Sequence, residues 1–257
     1  YNKAISIKPE YADAYNNIGN ALKDQGKLGE ALVAYNKAIS IKPEYADAYN
    51  NMGVTLHEQG KLEEAIEAYN KTISINPNYA DAYSNMGVTL HEQGKLEEAI
   101  ETYNKTISIN PNSVDAYNNI GVTLKEQGKL EEAIEAYYKA ISIKPEYAEA
   151  YNNIGIVRQA QGKSRKAIEA YKKAISIKPD DSEAWNNLYF ALHALKTKML
   201  AGENINLLYP KGIKSDFAKI ELGILDYKLN RGQKSESISL DKAMSILSIS
   251  NNTIIQA

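Results

Sequence analysis

The feature of this sequence that most restricts its fold is a repeat of 34 residues. Proline recurs at that interval, at Pro9, Pro43, Pro77, Pro111, Pro145 and Pro179. Five full units follow the same period, at 12–45, 46–79, 80–113, 114–147 and 148–181. Such a period indicates a supersecondary unit that buries its apolar faces by stacking on copies of itself, rather than one globular core.

Each unit is predicted to contain two helices, because its apolar residues follow helical spacing. In the first unit, one apolar stripe is formed by Tyr15, Ile18 and Leu22. A second stripe is formed by Leu28, Ala31, Leu32, Tyr35 and Ile39. Both stripes have the three- and four-residue intervals of an amphipathic helix rather than the alternation of a strand.

Glycine and proline mark where these helices end and where they approach each other. Gly26 lies between the two stripes, where a left-handed residue would terminate the first helix at little steric cost. Pro43 ends the second helix, since the residue before a proline is driven out of the helical region. Gly19 recurs in every full unit, and a residue without a side chain at that point predicts close contact between the two helices of a pair.

The recurring segments AYNNIG, QGKLEEAIEAY and KAISIKP resemble those of the tetratricopeptide repeat (TPR) family. The resemblance covers about residues 1–200, with the small, large and proline positions in register five times. It implies an all-α fold, a right-handed α-solenoid in which the first helices line a concave face. It also implies binding of another polypeptide. TPR arrays joined to glycosyltransferase or sulfotransferase domains look similar, so a substrate-recruiting arm of a larger transferase is an alternative.

The ends of the chain depart from the repeat. Residues 1–11 correspond to the second helix of a partial unit. Residues 182–201 are predicted to form a helix that caps the last repeat, because solenoid ends need a cover. Residues 202–257 are predicted to form a helical extension, with a degenerate further repeat as one interpretation. Both ends look cut, so the exposed terminal helices also suggest a self-assembly scaffold as a third alternative.

Asparagines on the first helices are the candidate binding residues. One row is invariant across the repeats and consists of Asn17, Asn51, Asn85, Asn119, Asn153 and Asn187. A neighbouring row contains Asn16, Asn50, Asn118 and Asn152, with Ser84 replacing the asparagine in the third unit. Asparagine is a mediocre helix former, so its recurrence indicates a role beyond helix formation. An amide both donates and accepts hydrogen bonds, so it can hold a peptide backbone without reading its sequence.

Neighbouring positions would complete a peptide groove. Val54, Val88 and Val122 would supply an apolar floor, and His57, His91 and Lys125 lie about one turn beyond it. The TPR arrays of O-GlcNAc transferases carry a similar asparagine ladder, matched here by the Asn17 row. Chaperone-tail-binding TPR proteins use basic residues on this face, and the acids and amides found here disfavour that ligand class. Two alternatives stay open for the asparagines: they pack adjacent first helices, or they were copied passively by duplication.

The sequence offers little for catalysis or for other ligands. There is no cysteine, and no serine, histidine and acid can be grouped into a catalytic set. Gly162-Lys163-Ser164 joins two helices and lacks the first glycine of a phosphate-binding loop. We therefore expect no enzymatic activity, no metal and no cofactor, and a protein or peptide as partner rather than nucleic acid or a membrane. A cytoplasmic location is the default expectation. Residues 1–147 carry a net charge of −7, which would steer a charged partner.

Overall fold

The computed structural model describes residues 10–200, with side chains up to Ala194. The predicted half-unit at 1–11 lies almost entirely outside the described residues, and the predicted extension at 202–257 lies wholly outside them. The chain divides into two compact units at Lys144 and Pro145, and each is described by itself.

The described part of the first unit contains eight helices. They are α1 (Ala12–Asp24), α2 (Leu28–Ile41), α3 (Ala46–Glu58), α4 (Leu62–Ile75), α5 (Ala80–Glu92), α6 (Leu96–Ile109), α7 (Val114–Glu126) and α8 (Leu130–Ile143). Odd-numbered helices are the first helices of the repeats and even-numbered helices are the second. Within this unit, each helix from α1 to α7 packs against the next one along the chain, and α1, α3 and α5 also contact the first helix of the following repeat.

The second unit continues the pattern with α9 (Ala148–Ala160), α10 (Ser164–Ile177) and α11 (Ser182–Leu200). Helix α10 packs against both α9 and α11, and α9 contacts α11. The described residues of both units are helices joined by short turns, without strands. The predicted all-α solenoid is therefore confirmed.

The turn inside each repeat depends on a glycine. Gly26, Gly60, Gly94, Gly128 and Gly162 have φ between 72° and 75°, the left-handed conformation predicted from the sequence. At the first of these turns, the Lys27 amide donates to the Leu22 carbonyl at 2.9 Å and the Gly26 amide donates to the Lys23 carbonyl at 2.8 Å. This is the Schellman arrangement, which satisfies carbonyls at the end of a helix and reverses the chain.

One tyrosine on each second helix forms the centre of a helix pair. Tyr35, Tyr69, Tyr103, Tyr137 and Tyr171 are at most 2% exposed. Each ring lies on the glycine of the adjacent first helix: a Cβ atom at Gly19 would lie 2.3 Å from Cε1 of Tyr35. The close contact between the two helices that the glycine predicted is thus made through the tyrosine ring. This packing orients each first helix, and it thereby sets which residues of that helix remain accessible.

Candidate functional site

A stripe of four side chains runs along the accessible face of each first helix in the first unit. On α3 it consists of Asp47, Asn51, Val54 and Glu58, at positions i, i+4, i+7 and i+11. This spacing keeps all four on one face of a helix. The two acids are exposed, whereas the asparagine and valine between them are half-buried. We call this set the first-helix stripe.

The stripe recurs with small changes on the other first helices of the unit. On α5 it is Asp81, Asn85, Val88 and Glu92, and on α7 it is Asp115, Asn119, Val122 and Glu126. On α1 it is Asp13, Asn17, Asn20 and Asp24, so that a second amide replaces the valine. The half-buried asparagines of this unit, Asn17, Asn51, Asn85 and Asn119, therefore lie on the same side of their helices as the predicted valines.

The Asn16 row does not lie on this open stripe. Asn16, Asn50, Asn118 and Asn152 are between 2% and 7% exposed. Their amides are shielded from solvent and lie within the packing of the array. Asn186, the equivalent residue of α11, is exposed.

The two asparagine rows are joined by hydrogen bonds between successive first helices. Nδ2 of Asn51 donates to Oδ1 of Asn16 at 3.1 Å, and Nδ2 of Asn85 donates to Oδ1 of Asn50 at 3.2 Å. The Asn119 amide has no such bond, because the preceding repeat carries Ser84 at this position. Packing of adjacent first helices, one of the alternatives raised by the sequence, is thus one function of these residues.

These bonds also fix the amide orientation of the half-exposed row. Because Nδ2 of Asn51 points toward Asn16, its Oδ1 atom and second N–H group are left for other partners. In the second unit, Nδ2 of Asn187 donates to Oδ1 of Asn152 at 3.0 Å, and Asn153 is only 8% exposed. The half-exposed amides are therefore Asn17, Asn51, Asn85, Asn119 and Asn187.

The predicted histidine and lysine row is also engaged between repeats. Nε2 of His57 lies 3.0 Å from Oε2 of Glu92, and Nε2 of His91 lies 3.1 Å from Oε2 of Glu126. Lys23 makes the equivalent contact with Glu58 at 3.7 Å. Lys125 is half-buried and has no ion pair among the described residues. Sequence reasoning missed these glutamates. Each lies 35 residues after the residue that it contacts, which is also the interval between the hydrogen-bonded asparagines.

A tyrosine at the end of the same repeat contacts the acid at the start of the stripe on α3. The Tyr79 hydroxyl donates to Oδ1 of Asp47 at 2.8 Å. Burial and then the nearby Asp13 of α1 raise the pKa of the Tyr45 phenol. Burial, followed by the hydrogen bond to Asp47, raises the pKa of the Tyr79 phenol. The phenol therefore stays protonated and acts as a donor, while Asp47 acts as the acceptor.

A separate cavity of about 390 Å³ lies between α2, α3 and α4. Its apolar lining includes Leu32, Tyr49, Met52 and Leu56, and Lys61 is among the polar residues that line it. None of the predicted binding residues lines this cavity.

Two further observations concern the described residues alone. No three histidines, aspartates or glutamates come close enough there to hold a metal ion. None of the helices between residues 10 and 200 combines the length and the apolar character needed to cross a bilayer.

The sequence matches known repeat families over most of its length. Residues 1–26, 19–60, 55–94, 89–128 and 123–162 match the family described as TPR repeat. Residues 148–181 match the family described as tetratricopeptide repeat. Among curated proteins, no sequence gives a significant match.

Several solved structures are similar in fold. YrrB, described as a TPR protein with an unusual peptide-binding site, is 28% identical with a TM-score of 0.58, and the alignment covers 76% of this chain and 97% of YrrB. The MamA protein is 28% identical with a TM-score of 0.59, covering 67% of this chain and 94% of MamA. PilF of Pseudomonas aeruginosa is 20% identical with a TM-score of 0.63, covering 85% of this chain and 97% of PilF, and it supports the fold alone.

Proposed function

The chain belongs to the tetratricopeptide repeat family, and on this premise we propose that it is a non-catalytic scaffold whose first helices bind an extended segment of another protein. The observation that carries this proposal is the first-helix stripe, which repeats on α1, α3, α5 and α7. It presents a half-exposed amide once per repeat, beside a half-exposed valine in three of the four repeats.

The buried asparagine row supports this function by orienting the half-exposed row. Asn16 and Asn50 are sealed between helices, and each accepts a hydrogen bond from the next repeat. The amides of Asn51 and Asn85 are therefore held in place before any ligand arrives. A group that is already ordered loses less conformational entropy on binding, which increases affinity.

The spacing of the stripes suits an extended chain. Packed helices lie roughly 8–10 Å apart, and three residues of extended backbone span about 10 Å. One amide per repeat would thus meet the backbone of about every third ligand residue. The free oxygen of Asn51 would accept from a backbone N–H group, and its second N–H group would donate to a backbone carbonyl.

The similarity to YrrB, which is described as having a peptide-binding site, is consistent with this proposal.

The half-buried residues Val54, Val88 and Val122 would contact apolar parts of the ligand. His57 and His91 would act mainly within the array, because each contacts a glutamate of the next repeat.

The proposal can be tested by selecting peptides from a random displayed library on the whole chain. The enriched peptides are then measured against the variant N51A/N85A/N119A and against the control N36A/N70A/N104A. The control removes three exposed asparagines from the second helices α2, α4 and α6. Circular dichroism confirms that both variants remain helical.

We expect the first variant to lose roughly tenfold or more in affinity, since each lost backbone contact is worth about 0.5–1.5 kcal/mol. The control should bind as the original chain does. Equal binding by the two variants, or the failure of any peptide to be enriched, would overturn the proposal.

A further inference from the structure

The first-helix stripes of the first unit are strongly acidic. Each of α1, α3, α5 and α7 carries one acid in its first turn and another as its last residue. Together these four helices hold eight carboxylates and two lysines, a net charge of −6 with the histidines neutral. The lysines are Lys23 and Lys125, and there is no arginine.

The acids form two rows with the asparagines and valines between them. On α3, Asp47 and Glu58 are eleven residues apart, which corresponds to about 16 Å along the helix axis. Asp47 is exposed, and the Glu58 side chain is 42% exposed. The proposed peptide site therefore has one acidic row on each side.

Eight carboxylates against two lysines leave these helices with an excess of negative charge. A phenol hydrogen bond, such as that from Tyr79 to Asp47, adds no positive charge. Glu92 and Glu126 lie 3.0 Å and 3.1 Å from histidine nitrogens of the preceding repeat. Lys23 is a cation that pairs with stripe acids, lying 3.4 Å from Asp24 and 3.7 Å from Glu58.

We infer that the segment bound by this face is a basic one, an extended chain rich in lysine or arginine; this inference rests on the function proposed above. Successive side chains of an extended chain point to opposite sides. Because both sides of the site are acidic, cationic side chains meet carboxylates whichever way they point. Such charge complementarity speeds association and disfavours acidic competitors.

The described first helices of the second unit do not share this character. Helix α9 carries Glu149 and Arg158, and its last residue is Ala160 where the first unit has an acid. The net charge of α9 is therefore zero, and the preference for a basic segment belongs to the first unit.

The inference is tested with three short synthetic peptides in which lysine, glutamine or glutamate alternates with serine. Their affinities are measured on the whole chain and on the variants D47N/D81N/D115N and E64Q/E98Q/E132Q. The second variant is the matched control, because it also removes three carboxylates but from exposed positions on second helices. Asparagine at position 47 keeps an oxygen that can accept from Tyr79.

We expect the lysine peptide to bind most tightly and to weaken as salt is added. Its affinity should fall roughly tenfold on the aspartate variant and change little on the glutamate control. An equal loss on both variants would overturn the inference, since only the net charge of the chain would then matter.

The experiment also separates this inference from the proposed function. If the glutamine or glutamate peptide binds as tightly as the lysine peptide, and N51A/N85A/N119A weakens that binding, the peptide site stands and the basic preference is wrong. If N51A/N85A/N119A leaves the binding of every peptide unchanged, both proposals fail.

Discussion

The contact between a glycine and a tyrosine determines the geometry of each helix pair at the scale of single residues. A Cβ atom at Gly87 would lie 2.5 Å from Cε1 of Tyr103, a distance that side chains do not tolerate. Tyr103 is 2% exposed, so its ring has little room to move away. The close approach that places α5 against α6 therefore requires glycine.

The substitution Gly87→Ala should lower the free energy of unfolding by about 1–3 kcal/mol or more, because it overpacks a close contact. Urea denaturation followed by circular dichroism measures this change. Gly29→Ala is the matched control, since Gly29 lies in α2 with no atom within 4 Å of an added Cβ. The control should be more stable than the original chain by about 0.5–1 kcal/mol, because alanine is the better helix former. A Gly87→Ala chain as stable as the Gly29→Ala chain would refute the role given to the contact.

At the scale of helices, successive first helices are joined by contacts between residues that lie 35 positions apart in the sequence. Asn16 with Asn51, Asn50 with Asn85, and His57 with Glu92 all follow this interval. The interval differs from the repeat by one residue, so each contact pairs neighbouring, non-equivalent positions of consecutive repeats. The contacts therefore help to hold α1, α3 and α5 in a defined register.

Ser84 interrupts this series and provides a test of it. The substitution Ser84→Asn should add the missing hydrogen bond to Asn119 and raise the free energy of unfolding by about 0.5–1.5 kcal/mol. The reverse change one repeat earlier, Asn50→Ser, should lower it by about 0.5–1.5 kcal/mol, since the amide of Asn85 loses its acceptor. Urea denaturation of both variants compares the same chemical change in opposite directions. A decrease in stability for both would contradict the account.

The local features of the repeat could be predicted from the sequence, whereas contacts between repeats could not. The turn at Gly26 and the end of α2 before Pro43 depend on backbone preferences that a few residues determine. The burial of Asn16 depends instead on the distance and angle between two first helices. Sequence spacing placed Asn16 and Asn17 on one polar face, but it could not show that only Asn17 stays half-exposed.

The buried tyrosines link stability to pH at the scale of the whole molecule. Burial raises the pKa of Tyr35 and of Tyr171 to about 12, and it also raises the pKa of Tyr69 and Tyr103. In an unfolded chain these phenols ionise near pH 10. Below that pH they are protonated in both states and contribute no pH dependence. Above it the unfolded state loses protons first, so stability falls as pH rises.

The free energy of unfolding should therefore fall between about pH 10 and pH 12. Each phenol that ionises only in the unfolded chain contributes about 1.4 kcal/mol per pH unit. A titration of tyrosinate absorbance, alongside circular dichroism, measures both events. We expect the buried tyrosines Tyr35, Tyr69, Tyr103 and Tyr171 to ionise only as helicity is lost. In urea, where the chain is unfolded, all tyrosines should ionise together near pH 10. Ionisation of every tyrosine near pH 10 with the helices intact would contradict this prediction.

The most direct test of the central claim is to follow the side-chain amides of the asparagines by nuclear magnetic resonance while the lysine–serine peptide is added. The account predicts that the amide signals of Asn51, Asn85 and Asn119 shift, and that those of the second-helix residues Asn36, Asn70 and Asn104 stay in place. Shifts confined to the second-helix asparagines, or spread equally over both sets, would show that the first helices do not form the peptide site.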